Sequence, residues 1–319
     1  VPAGMSQPDL GKACRLGESL NSVLLSMSKS SPNSAMVIAD TTAALCEEFD
    51  AWEADIEVER IKKNMPLGPN RIAEIKDAKI KADRAHERAA RRYYSAFRYT
   101  EKVFGETGLE NEDGSISCPY IEIEDEVVYV IGMVSGVLSV LHDRSSGGAV
   151  GIPLDLLPKL ARASTCVSDE DWWHLPQTIQ GAVWLTIPGS GPESVDPLAH
   201  LKMGASKGAE SGVRVGWAIH NLMTANAGKT DALEEGIVAH GLSTVETPQN
   251  SDWALLDEYA FWISRHQADL IWVQETGSRA PSFGILPNQS DSDPAQEEED
   301  LFGGEDAFGE EDPFEAGEK

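Results

Sequence analysis

From Asn70 to Phe104 the chain contains neither glycine nor proline and is rich in Ala, Lys, Glu and Arg. All four are good helix formers, so the stretch predicts one uninterrupted helix from about Asn70 to Gly105. A rod of that length commits the chain to a mostly helical body. Ala82, Ala85, Ala89, Tyr93, Ala96 and Val103 make a narrow apolar face of mainly small residues, which lets another helix approach closely. The natural partner is the preceding helix, expected over about Ala35–Lys63 with Ile38, Leu45, Phe49, Trp52 and Ile56 at helical spacing. Pro66-Leu-Gly-Pro69 between them cannot continue a helix and folds the pair into an antiparallel hairpin.

The rest of the chain reads less evenly. A first helix is expected over about Pro8–Met27, ended by the Ser-rich turn 28–34. Ile116–Glu124 alternates like a strand, and Val127–Leu141 fits either a buried strand or a helix whose Gly132 and Gly136 suit close packing. A short helix is expected over Pro153–Ala163, another over Asp169–Leu175 capped by Ser168, and a short strand over Gln180–Ile187. Asp196-Pro197 is a cap followed by proline at the first helical position, but Gly204, Gly208 and Gly212 make the next stretch loop-prone. Helices return over Val213–Ala227, Thr230–His240 and Asp252–Glu275, the last with His266 on its apolar stripe as a hydrogen-bonded core residue.

Charge is distributed unevenly. The net charge is −27 over 319 residues, yet Arg60 to Lys102 holds thirteen basic residues and five acids, half of all the Lys and Arg in the chain. On the long helix Lys81, Arg84, Arg88, Arg91, Arg98 and Lys102 share one seam, about 30 Å long at about 1.5 Å per residue. Arg92 lies on its edge, and Tyr94 and Tyr99 are interleaved. Cations with aromatic rings are what phosphates and unstacked bases require, so these residues are the candidate contacts for RNA or single-stranded DNA. The competing expectation is a solvated face: Asp77–Lys81 and Glu87–Arg91 are i,i+4 pairs, and the second helix carries many acids able to neutralise the seam.

The C-terminal end repeats a hexad: EDLFGG, EDAFGE, EDPFEA from Glu299. Asp300, Asp306 and Asp312 recur every six residues, with Phe302, Phe308 and Phe314 at plus two. In an extended chain residues two apart share a side, so each unit offers a ring and a carboxylate together to a protein partner, and repetition adds avidity. Beyond Pro287 too few aliphatic residues remain for a core, and a disordered acidic tail is expected. Asp312-Pro-Phe314 resembles the DPF-type motifs that bind clathrin-adaptor appendage domains. The tail also resembles the acidic, Phe-containing C-termini of single-stranded-DNA-binding proteins, although there the Phe is usually terminal and here Lys319 is. A helical core with an acidic tail is similar, in general layout, to viral nucleoproteins.

Four widely spaced cysteines, Cys14, Cys46, Cys118 and Cys166, form no CxxC pair and are expected as buried free thiols, which implies a reducing compartment. Together with the lack of a secretory signal this gives an intracellular expectation, cytoplasmic or nuclear and not secreted. No uninterrupted apolar run reaches the length of a membrane span, so no membrane partner is expected. Ala227-Gly-Lys-Thr230 ends like a phosphate loop, but Met223 stands where the first glycine is needed. The histidines are scattered, and no metal site, cofactor or catalytic residue is assigned.

These readings combine into a mostly α, multi-helix globular body with at most a small β element near 116–131. It divides into an N-terminal helical lobe over 6–109, a second lobe over 110–286 and a disordered acidic tail over 287–319. The expected function is non-enzymatic assembly, nucleoprotein-like, with the basic helix on RNA or single-stranded DNA, the tail on a protein partner and possible homo-oligomers. The alternatives are a protein–protein adaptor with an internally neutralised stripe, and an enzyme of unrecognised type.

Overall fold

A computed structural model describes residues 4–27 and 34–287. The repeat-bearing tail, with Asp300, Phe302, Asp306, Phe308, Asp312 and Phe314, lies outside the described residues. Among those described, ten α-helices and one two-stranded β element are formed, so the body is mostly α as expected.

Helix α1 (Leu10–Met27), α2 (Ser34–Asn64) and α3 (Pro69–Phe104) fall where the periodicity puts them. Helices α2 and α3 pack as the hairpin, with Ala82, Ala85, Ala89, Tyr93 and Ala96 all essentially buried. Small residues also set the approach of α1 to α2: a Cβ at Gly17 would stand 2.5 Å from the backbone nitrogen of Ala43. The far end of the hairpin has a small apolar cluster of its own, Val58, Ile61 and Ala78, with Met65 and Ile75 against it.

The alternation over 116–124 yields only β2 (Ile116–Ser117), antiparallel to β1 (Leu109–Glu110). The ambiguous apolar run is a helix, α4 (Glu126–Ser145), packed on α3. Gly132 faces Thr100 and Gly136 faces Leu160 and Phe97, so both glycines mark helix crossings. By length and composition α4 could cross a membrane; here 89% of its apolar window is buried within the body.

Three local expectations are corrected. Residues 180–186 are not a strand but lie in α6 (Leu175–Thr186), with Ile187 extended just beyond its end, and 169–174 is a turn, with Trp173 and His174 in the left-handed region. Gly204 and Gly208 do not loosen the chain; they sit inside α7 (Pro197–Glu210), where they meet Thr178 and the carbonyl of Trp173. They are there because α6 and α7 touch backbone to backbone, and a Cβ at Gly181 would stand 2.6 Å from the nitrogen of Leu201. The cap at Asp196 forms as expected, accepting from Leu198 N at 2.9 Å. Helix α5 (Leu156–Ala163) precedes this pair, and α8 (Val215–Asn226), α9 (Thr230–Glu246) and α10 (Ala254–Thr276) come after it.

The cysteines overturn the free-thiol expectation. Cys14 is bonded to Cys46, joining α1 to α2, and Cys118 to Cys166, pinning the segment after β2 beside α5. In both pairs the Cα atoms are 5.4 Å apart. Spacing along the chain carried no sign of this, because partners 32 and 48 residues apart meet only in the folded bundle. The main core runs from Met5 to Ile263 and draws on residues on both sides of position 110.

Candidate functional site

Helix α3 carries two unlike faces. The outer one holds the basic seam. Lys81, Arg84, Arg88, Arg91, Arg98 and Lys102 are all exposed, and Arg92 and Tyr94 are half-buried. Most of the guanidinium groups have partners. Arg88 bonds Glu47 and lies 3.6 Å from Asp50, and Arg92 reaches Glu18 at 3.3 Å and Glu47 at 3.5 Å, so acids from α1 and α2 flank the seam. Arg91 pairs with Glu87 at 2.8 Å and Arg98 with Glu101 at 3.0 Å along the helix itself. The expected Asp77–Lys81 pair does not form; Lys79 pairs with Asp83 instead. Lys81 and Arg84 have no ion pair among the described residues, and with Asp50, Asp77, Ile80, Ala85 and Arg88 they line a depression of about 270 Å³.

The rings are placed differently from the cations. Tyr94 packs against the core and beside Phe97, and Lys102 Nζ sits 4.6 Å over the ring of Tyr99. The seam therefore offers charge more freely than open aromatic faces.

Toward the hairpin end the surface is both basic and apolar. Between residues 60 and 84 eight basic residues stand against three acids. Leu67 is 89% exposed, Ile72 56% and Ile80 47%, and Arg60, Lys63, Lys76, Lys81 and Arg84 are exposed and without an ion pair among the described residues. Asn64 Nδ2 donates to Gly277 O at 3.1 Å, so the loop end of the hairpin lies beside the end of α10, after which the chain turns back and packs Phe283 and Leu286 against α9 and α10.

The inner face of α3 holds a constellation that residue spacing did not bring together. Glu48 is fully buried and accepts from Tyr93 Oη at 2.6 Å and Tyr259 Oη at 2.8 Å. Its other oxygen is 2.9 Å from His142 Nε2. His142 Nδ1 lies 2.8 Å from His86 Nδ1, and His86 Nε2 lies 2.9 Å from Asp55 Oδ2, the first group of the chain with substantial access to solvent. Glu48, His142, His86 and Asp55 thus form an unbroken run of three hydrogen bonds from the core to the surface. Burial, and next the Glu48 carboxylate, push the Tyr93 and Tyr259 phenols well above their ordinary range, so both stay protonated as donors.

A signal for this chain was present in the sequence. Glu48 and Asp55 stand on the stripe that includes Trp52, at i, i+4 and i+7, and His86 stands between Ala82 and Ala89 on the small-residue face. Polar groups inside apolar stripes mark buried hydrogen-bonded sites. His142 needed the fold, because α4 brings it in from 94 residues away.

His266 corrects one expectation and sharpens another. It is in the core, stacked on Trp52 with ring centroids 5.0 Å apart, but neither ring nitrogen has a hydrogen-bond partner among the described residues. Burial pushes its pKa down to about 4, against the opposing pull of Asp55. Among the described residues no group of three His, Cys, Asp or Glu side chains is placed to hold a metal ion.

No protein-family model matches the chain, and neither a curated protein nor a solved structure is similar to it.

Proposed function

We propose that this is a non-enzymatic assembly protein in which the basic, apolar-edged end of the α2–α3 hairpin receives the acidic Asp-x-Phe repeats of a second copy. The observation that carries the reading is the exposed combination of Leu67, Ile72 and Ile80 with Arg60, Lys63, Lys76, Lys81 and Arg84. Exposed rings and aliphatic side chains gain nothing from water, and each repeat presents one Phe with carboxylates beside it, complementary in polarity and charge. Three repeats in register let one copy rebind before it is lost. The pairing of Arg88 and Arg92 with Glu18, Glu47 and Asp50 interrupts the positive surface midway along α3, which favours a short acidic peptide over a long polyphosphate.

RNA or single-stranded DNA is the second reading, favoured by the unpaired Lys81 and Arg84 and weakened by the occupied faces of Tyr94 and Tyr99. The two disulfides fit an oxidising compartment, the reverse of the setting that free thiols implied. Neither a cofactor nor a membrane enters the proposal.

Sedimentation velocity of the full chain across a concentration series tests the assembly. Wild type is expected to self-associate, and both Lys81→Glu/Arg84→Glu and Phe302→Ala/Phe308→Ala/Phe314→Ala are expected to sediment as monomer. A wild type that stays monomeric at every concentration rejects assembly between copies, as does an oligomer that both variants leave intact.

A further inference from the structure

The outer end of the buried proton chain opens on a cleft of about 220 Å³ between α2, α3, α4, α8 and α10. We propose that this cleft is a binding site for a small organic ammonium ion, a primary amine carrying a short alkyl chain. The proposal is independent of the assembly function, since the residues that line the cleft are not those of the hairpin end.

Three groups on its wall have hydrogen-bonding capacity that the protein does not use. Asp55 spends Oδ2 on His86, and Oδ1 has no partner among the described residues. His266 and Gln267 are each only 6% exposed, both line the cleft, and neither makes a side-chain hydrogen bond to any described residue. The polar atoms of His266 and Gln267 are not sealed in the core as His240 Nε2 is, so they remain open to a donor entering the cleft.

The chemistry of the unspent atoms selects the ligand. His266 is neutral near pH 7, because burial holds its pKa at about 4, and a neutral imidazole offers one lone pair. Together with the Asp55 oxygen and the Gln267 carbonyl this makes three acceptors, one of them charged. An ammonium group brings three N–H donors and the matching charge; an alcohol brings one donor and no charge; a carboxylate meets the negative charge of Asp55. Leu141, Leu222 and Leu270 on the same wall supply apolar cover for an alkyl chain. A bare metal ion fits poorly, since the nitrogens of His86 and His142 are spent on each other and on the two carboxylates.

The test is isothermal titration of the full chain with butylammonium chloride to about 50 mM, with 1-butanol and butyrate as neutral and anionic counterparts of the same size. Butylammonium is expected to bind at least about tenfold more tightly than butanol, and butyrate not at all. Asp55→Asn should weaken the ammonium about tenfold. Because Asp55 also anchors His86, two further variants keep the test open if that one folds poorly. Gln267→Leu, and His266→Phe, which retains a ring on Trp52, should each weaken butylammonium severalfold and leave the far-ultraviolet circular dichroism unchanged. Absence of binding by wild type, equal binding of butanol and butylammonium, or unchanged affinity in well-folded Gln267→Leu and His266→Phe would each overturn the assignment.

Discussion

Arg214 shows how closely single buried groups are accounted for. It is 1% exposed at the start of α8, and its guanidinium bonds Asp257 Oδ2 at 2.7 Å, Ser243 Oγ at 3.1 Å and the carbonyls of Ser243 and Thr247. Asp257 also accepts from the Arg214 backbone nitrogen at 2.9 Å. Removing one partner strands a charge in the core, so Asp257→Ala is expected to cost about 3–5 kcal/mol in urea denaturation. Two buried histidines carry a pH signature. Burial lowers His266 to about 4 and, aided by repulsion from Arg214, His240 to about 3, against 6.5 for an ordinary histidine. The unfolded chain therefore binds more protons below about pH 6.5, and stability falls as the pH is lowered. Between about pH 7 and about pH 5 each histidine should remove about 2 kcal/mol, and His240→Phe should flatten the profile by its share. Asp40 and Asp269, raised by burial, act in the opposite sense at lower pH. What sequence could show at this scale was Glu48, Asp55 and His86 on apolar stripes; what it could not show was that His142 completes the chain.

Among the elements, the helices were most legible where periodicity is long and unbroken. Helices α1, α2 and α3 end within a few residues of their expected limits, and Gly105 closes α3. Glycine was the main source of error. Gly132 and Gly136, four apart in an apolar run, suit helix packing but leave strand and helix both open, whereas Gly204, Gly208 and Gly212 read as loop-prone. Gly132, Gly136 and Gly204 admit a neighbouring helix and Gly208 admits the turn at Trp173, and only the packed neighbour tells a contact glycine from a loop glycine. Neither setting tolerates a side chain. At Gly181 the obstacle is the backbone of Leu201, which cannot turn aside, so Gly181→Val should cost about 1–3 kcal/mol and lower the melting temperature by several degrees. At Gly132 the obstacle is Thr100, whose Cβ, fixed by the backbone of α3, would itself stand at 2.8 Å, so no rotamer change clears it and Gly132→Ala should also cost about 1–3 kcal/mol in the same melt.

For the whole molecule the disulfides matter more than any one contact. The loops they close, 32 and 48 residues, give about 3–4 kcal/mol each in the chain-entropy account. Reduction should therefore lower the melting temperature markedly, and Cys14→Ser/Cys46→Ser should reproduce part of the loss. A melt unaffected by reductant would contradict this. Charge has the same global character. The strongly acidic chain confines its excess of basic residues to 60–102, and the fold then neutralises the middle of that segment from α1 and α2 while leaving the hairpin end open. The segregation was plain in the sequence; which cations stay free depended on where Glu18, Glu47 and Asp50 came to rest.

The receptor role of that end is tested most directly by fluorescence anisotropy of a labelled peptide spanning Glu299–Glu315, titrated with the full chain. The account predicts saturable binding that weakens with salt, about tenfold or more weaker with the three Phe changed to Ala, and lost in Lys81→Glu/Arg84→Glu. Binding that ignores the Phe residues, or that survives the charge reversal, would contradict it, as would an oligouridylate of equal length that binds more tightly than the peptide.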